Sequence, residues 1–334
     1  MDRRDFLRGS AALAALGVAA PRLARAQAPL TLRLAHFAAE DHPAHIAAKQ
    51  LASRVEARTE GAVKIAIFPN NALGSPDEQA EQIRLGVIDM GLPTQGQLDK
   101  YDKAFAAVMS PFVYDNLDHV HRVLDGPAMG WFAPLAEKQG FIILANWEYG
   151  FRNLTNNRRP INTPDDVKGL KIRTPPEIQL QATMEALGAV VTKIAFPELY
   201  LALSQKVVDG QENPVAVIYF NKYYEVQSHL ALTRHVYNNM INVINVKSWA
   251  KLDARQQAIF HEESKSAGDL MRRTMAEQEA DQIQKLEGLG MKVTRPDLAA
   301  FRDRMQPAYR RIAEYAGEEN IKKYLELVEQ ARKA

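Results

Sequence analysis

At 334 residues, 46% of them apolar, the chain is long enough to build two ordinary domains around sizeable cores, which excludes a single small module. Its 42 Lys and Arg against 40 Asp and Glu leave a formal net charge of +2, so no overall field directs it to nucleic acid or an anionic membrane. Cysteine is absent, which removes thiol nucleophiles, disulfides, Cys-ligated zinc and iron–sulfur clusters.

The chain opens Met1-Asp2-Arg3-Arg4-Asp5-Phe6-Leu7-Arg8, a twin arginine followed by an apolar, alanine-rich stretch over 11–20. This pattern reads as a twin-arginine export signal occupying 1–26, with cleavage after Ala24-Arg25-Ala26 and delivery to the periplasm. The apolar run is too short to span a bilayer with assurance, so the protein is not expected to be embedded in a membrane.

After the signal, residues 31–37 and 63–68 read as strands, the second alternating Val63, Ile65 and Ile67 on one face. The helix between them opens at Pro43 and carries Ala47, Leu51 and Val55 on one stripe. A second helix starts at the capping box Ser75-Pro76-Asp77-Glu78 and ends at Gly86, before a strand over 87–92. This β-α-β-α-β order predicts a mostly parallel sheet. It recurs as a strand at 170–173, a helix over 177–187 closed by Gly188, and a strand at 189–194. Gly86-Val87-Ile88-Asp89 and Lys206-Val207-Val208-Asp209 hold the same place in the two units, which suggests two similarly wound lobes. Residues 254–287 contain no proline and one glycine, predicting a helix of about 50 Å that could brace both lobes. Amphipathic helices over 298–315 and 320–332 complete the chain.

Ligands of wound α/β sheets sit beyond the carboxyl ends of strands, and three segments deliver polar groups there. In Gly169-Leu170-Lys171-Ile172-Arg173, Leu170 and Ile172 face the core while Arg173 emerges at the strand end, where its planar guanidinium suits a carboxylate. Spacing alone weighs that reading evenly against a solvated strand-end arginine. In Gly150-Phe151-Arg152-Asn153-Leu154, a crossover toward the second lobe, Arg152 lies between apolar neighbours and turns inward; Phe151 reads as core first, Trp147 as a ligand-stacking ring first. In Asp209-Gly210-Gln211-Glu212-Asn213-Pro214, Asn213 stands at a strand tip as hydrogen-bond donor and acceptor, or as a plain turn residue before proline.

Together with His42-Pro43, Phe68-Pro69-Asn70, Leu73-Gly74 and Phe196-Pro197-Glu198-Leu199-Tyr200, these segments resemble the DctP-type solute-binding proteins of tripartite ATP-independent periplasmic (TRAP) transporters from about Leu32 to Leu252. The resemblance implies an α/β, two-lobed periplasmic-binding-protein-like fold, with mostly parallel sheets and the long helix spanning both lobes, that closes on an organic acid. The expected partition is 27–149 with 240–278 in lobe 1 and 150–239 with 279–334 in lobe 2. By the same resemblance Arg173 binds the carboxylate, Arg152 is a second ligand-facing arginine, Asn213 an amide contact and Phe196 an aromatic wall. Trp147 is carried over with them, and small and large TRAP membrane subunits are the implied partners. His36, Phe37, Thr94 and Gln95, at the first lobe's strand ends, are further candidates for reading the rest of the ligand, His36 equally as a satisfied core histidine. The polar set Thr94, Gln95, Asn213 and Glu212 suits the hydroxyls of a sugar acid such as a uronate or aldonate. Trp147, Phe37 and Phe196 would suit an aromatic 2-oxo acid, and a dicarboxylate is a third option.

The rival from another class is a periplasmic oxidoreductase, since twin-arginine export often serves cofactor-bearing enzymes. The dinucleotide, P-loop, nucleophile-elbow and zincin motifs are all missing, so no enzyme activity, cofactor or metal is expected. His42 and His45 read as a polar helix cap rather than a metal site, and His119 and His121 fall on different helix faces.

Overall fold

The computed structural model describes residues 28–333; the signal expected over 1–26 lies outside them. The first unit runs β1 (Leu30–Ala35), α1 (Pro43–Arg58), β2 (Val63–Phe68), α2 (Pro76–Leu85) and β3 (Met90–Gly91). Its punctuation is local. The His42 ring accepts the Ala44 amide ahead of Pro43, Ser75 and Glu78 form the reciprocal capping box, and Gly86 closes α2 at φ 78°. Two helices, α3 (Leu117–Asp125) and α4 (Pro127–Lys138), precede the long strand β4 (Phe141–Asn156).

The second unit repeats the first as β5 (Lys171–Thr174), α5 (Ile178–Ala186), β6 (Val190–Lys193), α6 (Leu199–Ser204) and β7 (Gly210–Pro214). It is followed by α7 (Val215–Phe220), a second long strand β8 (His229–Asn245), α8 (Val246–Trp249), the 35-residue helix α9 (Ala254–Gly288), β9 (Lys292–Thr294), α10 (Leu298–Asp303), α11 (Gln306–Ala316) and α12 (Glu318–Lys333).

All nine strands join one twisted sheet in the order β2-β1-β3-β8-β4-β7-β5-β6, with β9 beside β8. The halves mirror one another: β1 lies between β2 and β3, β5 between β6 and β7, all in parallel, and β3 and β7 each meet a long strand running the other way. Among the described residues five of the eight pairings are parallel; the long β4–β8 ribbon that ties the lobes together is antiparallel.

The matched tetrapeptides have a shared job. Asp89 accepts the Arg33 amide of β1 at 2.8 Å and Asp209 accepts the Lys171 amide of β5 at 2.9 Å, so each aspartate caps the central strand of its own unit. For the same reason the strand expected over 87–92 shrinks to Met90–Gly91, because Asp89 takes up the β1 amide through its side chain before the ladder begins.

α9 lies across the ribbon. The Trp147 indole of β4 donates to the Ser264 carbonyl at 3.0 Å, and Gly268 is the close-approach residue, since a Cβ there would sit 2.8 Å from the Asn146 carbonyl. The helix expected over 298–315 breaks between Asp303 and Gln306, as Pro307 has no amide to donate to the Asp303 carbonyl four residues back and suits a new first turn. α11 packs on α5, whereas α12 returns to α3 and α4 and buries Tyr324 and Val328 in the first-lobe core with Phe132, although it follows the second lobe in sequence.

Candidate functional site

Between the two units lies a cavity of about 50 Å³. Its first-lobe wall is Phe37 beyond β1, the start of α2, and Pro93, Thr94 and Gln97 beyond β3. Its second-lobe wall is Arg173 at the end of β5, Glu177 ahead of α5, Phe196, and Asn213 on β7, while Tyr149 and Arg152 of β4 form its floor. Strand ends of both parallel units thus converge on one space, where chain topology leaves room for a ligand.

Arg173 is 1% exposed. Its Nε donates to the Ile194 carbonyl at 2.8 Å, its buried Nη2 has no partner, and no carboxylate among the described residues lies within ion-pair distance of it. Burial lowers its pKa, opposed by Tyr223 and Glu212, but an arginine remains charged through any such change. The cavity therefore contains a desolvated cation with an unused donor, the arrangement that a ligand carboxylate would complete.

Arg152, 2% exposed, is the opposite case. Its Nε and Nη2 clasp the Glu212 carboxylate, Nη2 also donates to the Glu212 carbonyl at 2.7 Å and Asn213 Oδ1 at 3.1 Å, and Nη1 donates to Asn238 Oδ1 at 2.9 Å. His235 approaches the same carboxylate at 3.3 Å. Burial works against both charges, yet their attraction prevails: the Arg152 pKa is raised, and Arg152 and His235 hold Glu212 below the usual carboxylate range. Arg152 lines the cavity as half of a neutralised pair, with an Nη1 hydrogen left over. Asn213 belongs to the same network, its amide donating to Gln211, which donates to Thr155 at 2.9 Å.

Three aromatic side chains line the cavity. Phe37 of one lobe meets Phe196 of the other edge-on at 5.5 Å and Tyr149 at 5.3 Å. Of the residues expected from sequence, Arg173, Arg152, Asn213, Phe196, Phe37 and Thr94 come together here. Three do not. Trp147 is fully buried under α9 on core packing. His36 faces away, because adjacent residues at a strand end project to opposite sides and Phe37 takes the cavity; its ring accepts the Ala38 amide and contacts His45 at 3.2 Å. Gln95 turns away from the cavity into the interior, where it accepts from the buried Asn239 at 2.7 Å, and Gln97, whose Oε1 accepts the Thr94 amide at 2.9 Å, lines the cavity instead.

Sequence reasoning missed Tyr149 and Glu177. Tyr149 sits in the register shift between Glu148 and Gly150, a β4–β8 irregularity that the sequence does not signal. Glu177 had a signal in hand: it stands four residues after Arg173, at the start of the helix that Arg173 was expected to adjoin.

No group of three or more His, Asp or Glu among the described residues is arranged to hold a metal ion, and no described helix is long and apolar enough to cross a membrane. His42 is occupied as the α1 cap; His119 contacts the Val328 carbonyl and His121 contacts Glu148.

A two-lobed α/β frame joined by two long strands, with a buried guanidinium that has no carboxylate partner facing the cleft, defines a binding protein for a small anion. The family model for bacterial extracellular solute-binding protein, family 7 (DctP) matches residues 34–315. The sialic acid-binding periplasmic protein SiaP of Vibrio cholerae is 33% identical over 301 residues, covering 90% of this chain and 94% of that one. A TRAP periplasmic solute-binding protein from Polaromonas sp. JS666, bound to D-erythronate, superposes with a TM-score of 0.85 at 33% identity over 89% of this chain and 98% of the other. The sugar acid binding protein of Advenella mimigardefordensis, in complex with galactonate, gives a TM-score of 0.87 at 27% identity over 91% and 99%. The chain belongs to the family 7 solute-binding proteins of TRAP transporters, which are periplasmic binding proteins rather than enzymes.

Proposed function

We propose that this protein captures a small hydroxylated organic acid, a sugar acid such as an aldonate or uronate, in the periplasm and presents it to the small and large membrane subunits of a TRAP transporter. The observation that carries the reading is Arg173, a buried cation with an unpartnered Nη2 on the wall of the interlobe cavity. The ligand's carboxylate pairs with Arg173, the spare Nη1 hydrogen of Arg152 and the Asn213 amide add contacts, and Phe37, Tyr149 and Phe196 flank its carbon chain. Thr94 and Gln97 meet hydroxyls from the first lobe. D-erythronate and galactonate in the related binding proteins support the sugar-acid class.

Lobe 1 comprises 27–149 with 240–278 together with α12, whose Tyr324 and Val328 pack in its core, and lobe 2 comprises 150–239 with 279–317, hinged where β4 and β8 pass between them and strapped by α9. Export follows the twin-arginine route set by Arg3 and Arg4. Closure excludes water from the cleft and strengthens the ion pair. A thermal-shift screen of aldonates, uronates, dicarboxylates and aromatic 2-oxo acids tests the reading. Ligand at a hundred times its Kd adds about 2.7 kcal/mol to stability. If no acid raises the melting temperature, the reading fails.

A further inference from the structure

We propose that Glu177, facing the cavity from the start of α5, selects a hydroxylated monocarboxylate over a dicarboxylate by presenting an unpaired carboxyl where a second ligand carboxylate would have to sit. This rests on the function proposed above and names the ligand class more narrowly.

Glu177 is 5% exposed and lines the cavity with Arg173. No Lys, Arg or His among the described residues is within ion-pair distance of it; its one hydrogen-bond contact is the Thr94 hydroxyl, at 3.5 Å across the cleft. Gly96 makes room for it, since a Cβ there would lie 2.9 Å from Glu177 Oε2. Charges around the cavity then balance simply. Arg152 is neutralised by Glu212, and Asp77 at the rim pairs with Lys100 at 3.2 Å. One cation, Arg173, and one acid, Glu177, remain without partners. A monoanion neutralises Arg173 and meets Glu177 with a hydroxyl, which can both donate to and accept from a carboxyl. A dianion finds no second free cation, so its other carboxylate is desolvated in the cleft with no counter-charge and, at best, a single hydrogen bond from the neutral Glu177 carboxyl.

The surroundings hold Glu177 protonated. Burial is the main cause, with Asp99 of the 95–100 turn, Asp77 of α2 and Glu212 of β7 adding repulsion against the opposing pull of Arg152 of β4, and the pKa is pushed up to about 8. Near it, burial raises Asp99 to about 6 and Tyr149 to about 12, so between pH 7 and pH 9 neither changes charge and Glu177 does.

Isothermal titration of the purified protein with matched pairs, D-erythronate against meso-tartrate and D-galactonate against galactarate, tests the proposal. Each pair differs only in oxidation of the terminal carbinol to a carboxylate, so chain length does not confound the comparison. At pH 7 the monocarboxylate is expected to bind at least a hundredfold more tightly than its partner. Its affinity is expected to fall about tenfold from pH 7 to pH 9 as Glu177 ionises beside the bound anion. Glu177→Gln is expected to flatten that pH profile. Wild-type protein that binds a monocarboxylate but prefers its dicarboxylate partner, or shows no loss by pH 9, overturns the selection by Glu177 and leaves the function standing, as does a Glu177→Gln profile that falls like the wild type. Wild-type protein that binds none of the four acids, and neither D-glucuronate nor D-galacturonate, removes the proposed function itself.

Discussion

The two cavity arginines should respond oppositely when each is replaced by methionine, which keeps an unbranched apolar stem and removes the charge. Arg152→Met deletes five hydrogen bonds and leaves the Glu212 carboxylate buried with only His235 at 3.3 Å. Breaking a buried pair from one side costs about 3–5 kcal/mol. Arg173→Met loses a single hydrogen bond, to the Ile194 carbonyl, worth about 1 kcal/mol. Against that it removes a buried charge with no counterion, which relieves its desolvation penalty and offsets the lost bond. With about 2 °C per kcal/mol in a chain this large, Arg152→Met should lower the ligand-free Tm by roughly 6–10 °C and Arg173→Met should hold or raise it. Binding should separate from stability: losing both arms of a charge-assisted contact at Arg173 should cost roughly 3 kcal/mol or more, over a hundredfold in Kd. Differential scanning fluorimetry and titration calorimetry measure both. If Arg173→Met lowers the ligand-free Tm as far as Arg152→Met, Arg173 is a structural residue and not an anion anchor waiting for its partner.

Trp147→Phe should cost about 1–2 kcal/mol through the lost bond to Ser264 and a small void under α9, while Kd for any bound acid stays unchanged; an affinity loss would put the indole back in the site. Gly96→Ala would bring a Cβ to 2.2 Å from Met109 Sδ and 2.9 Å from Glu177 Oε2, so it should cost about 1–3 kcal/mol and weaken ligand binding as the lobes are held apart, read by calorimetry and small-angle scattering with and without ligand. Burial lowers His36 and His42 to about 3 in the folded protein, so their stabilising contribution is present above the unfolded value of 6.5 and drains away as pH falls from there toward 3. His42→Asn, which keeps an N-cap acceptor without a titrating ring, should flatten part of that acid arm in urea melts at pH 4 and pH 7; an unchanged slope would contradict the buried neutral ring.

Some of this protein could be read directly from the chain because the physics involved is local. Pro43, the Ser75–Glu78 box and Gly86 place helix ends through groups within four residues of one another, and the proline-free run from 254 announces α9 because helices propagate wherever nothing interrupts them. The repeated unit and Arg173 at its strand end were legible for the same reason, since strand polarity and the position of the following helix decide where a strand-end side chain emerges. Other features depend on which distant segments meet. Arg152 is paired because β7 lies beside β4 and brings Glu212 against it, sixty residues away. Trp147 is core because α9 crosses β4, and Tyr149 reaches the cavity because bulges shift the β4–β8 register, a property of two strands rather than one. Whether an arginine is satisfied or left waiting for a ligand follows from the count of partners that folding brings to it. Local patterns therefore placed Arg173 at a strand end and the family resemblance pointed to the class, while the tertiary structure decided that Arg152 is already neutralised by Glu212 and that Arg173 and Glu177 share one cavity wall.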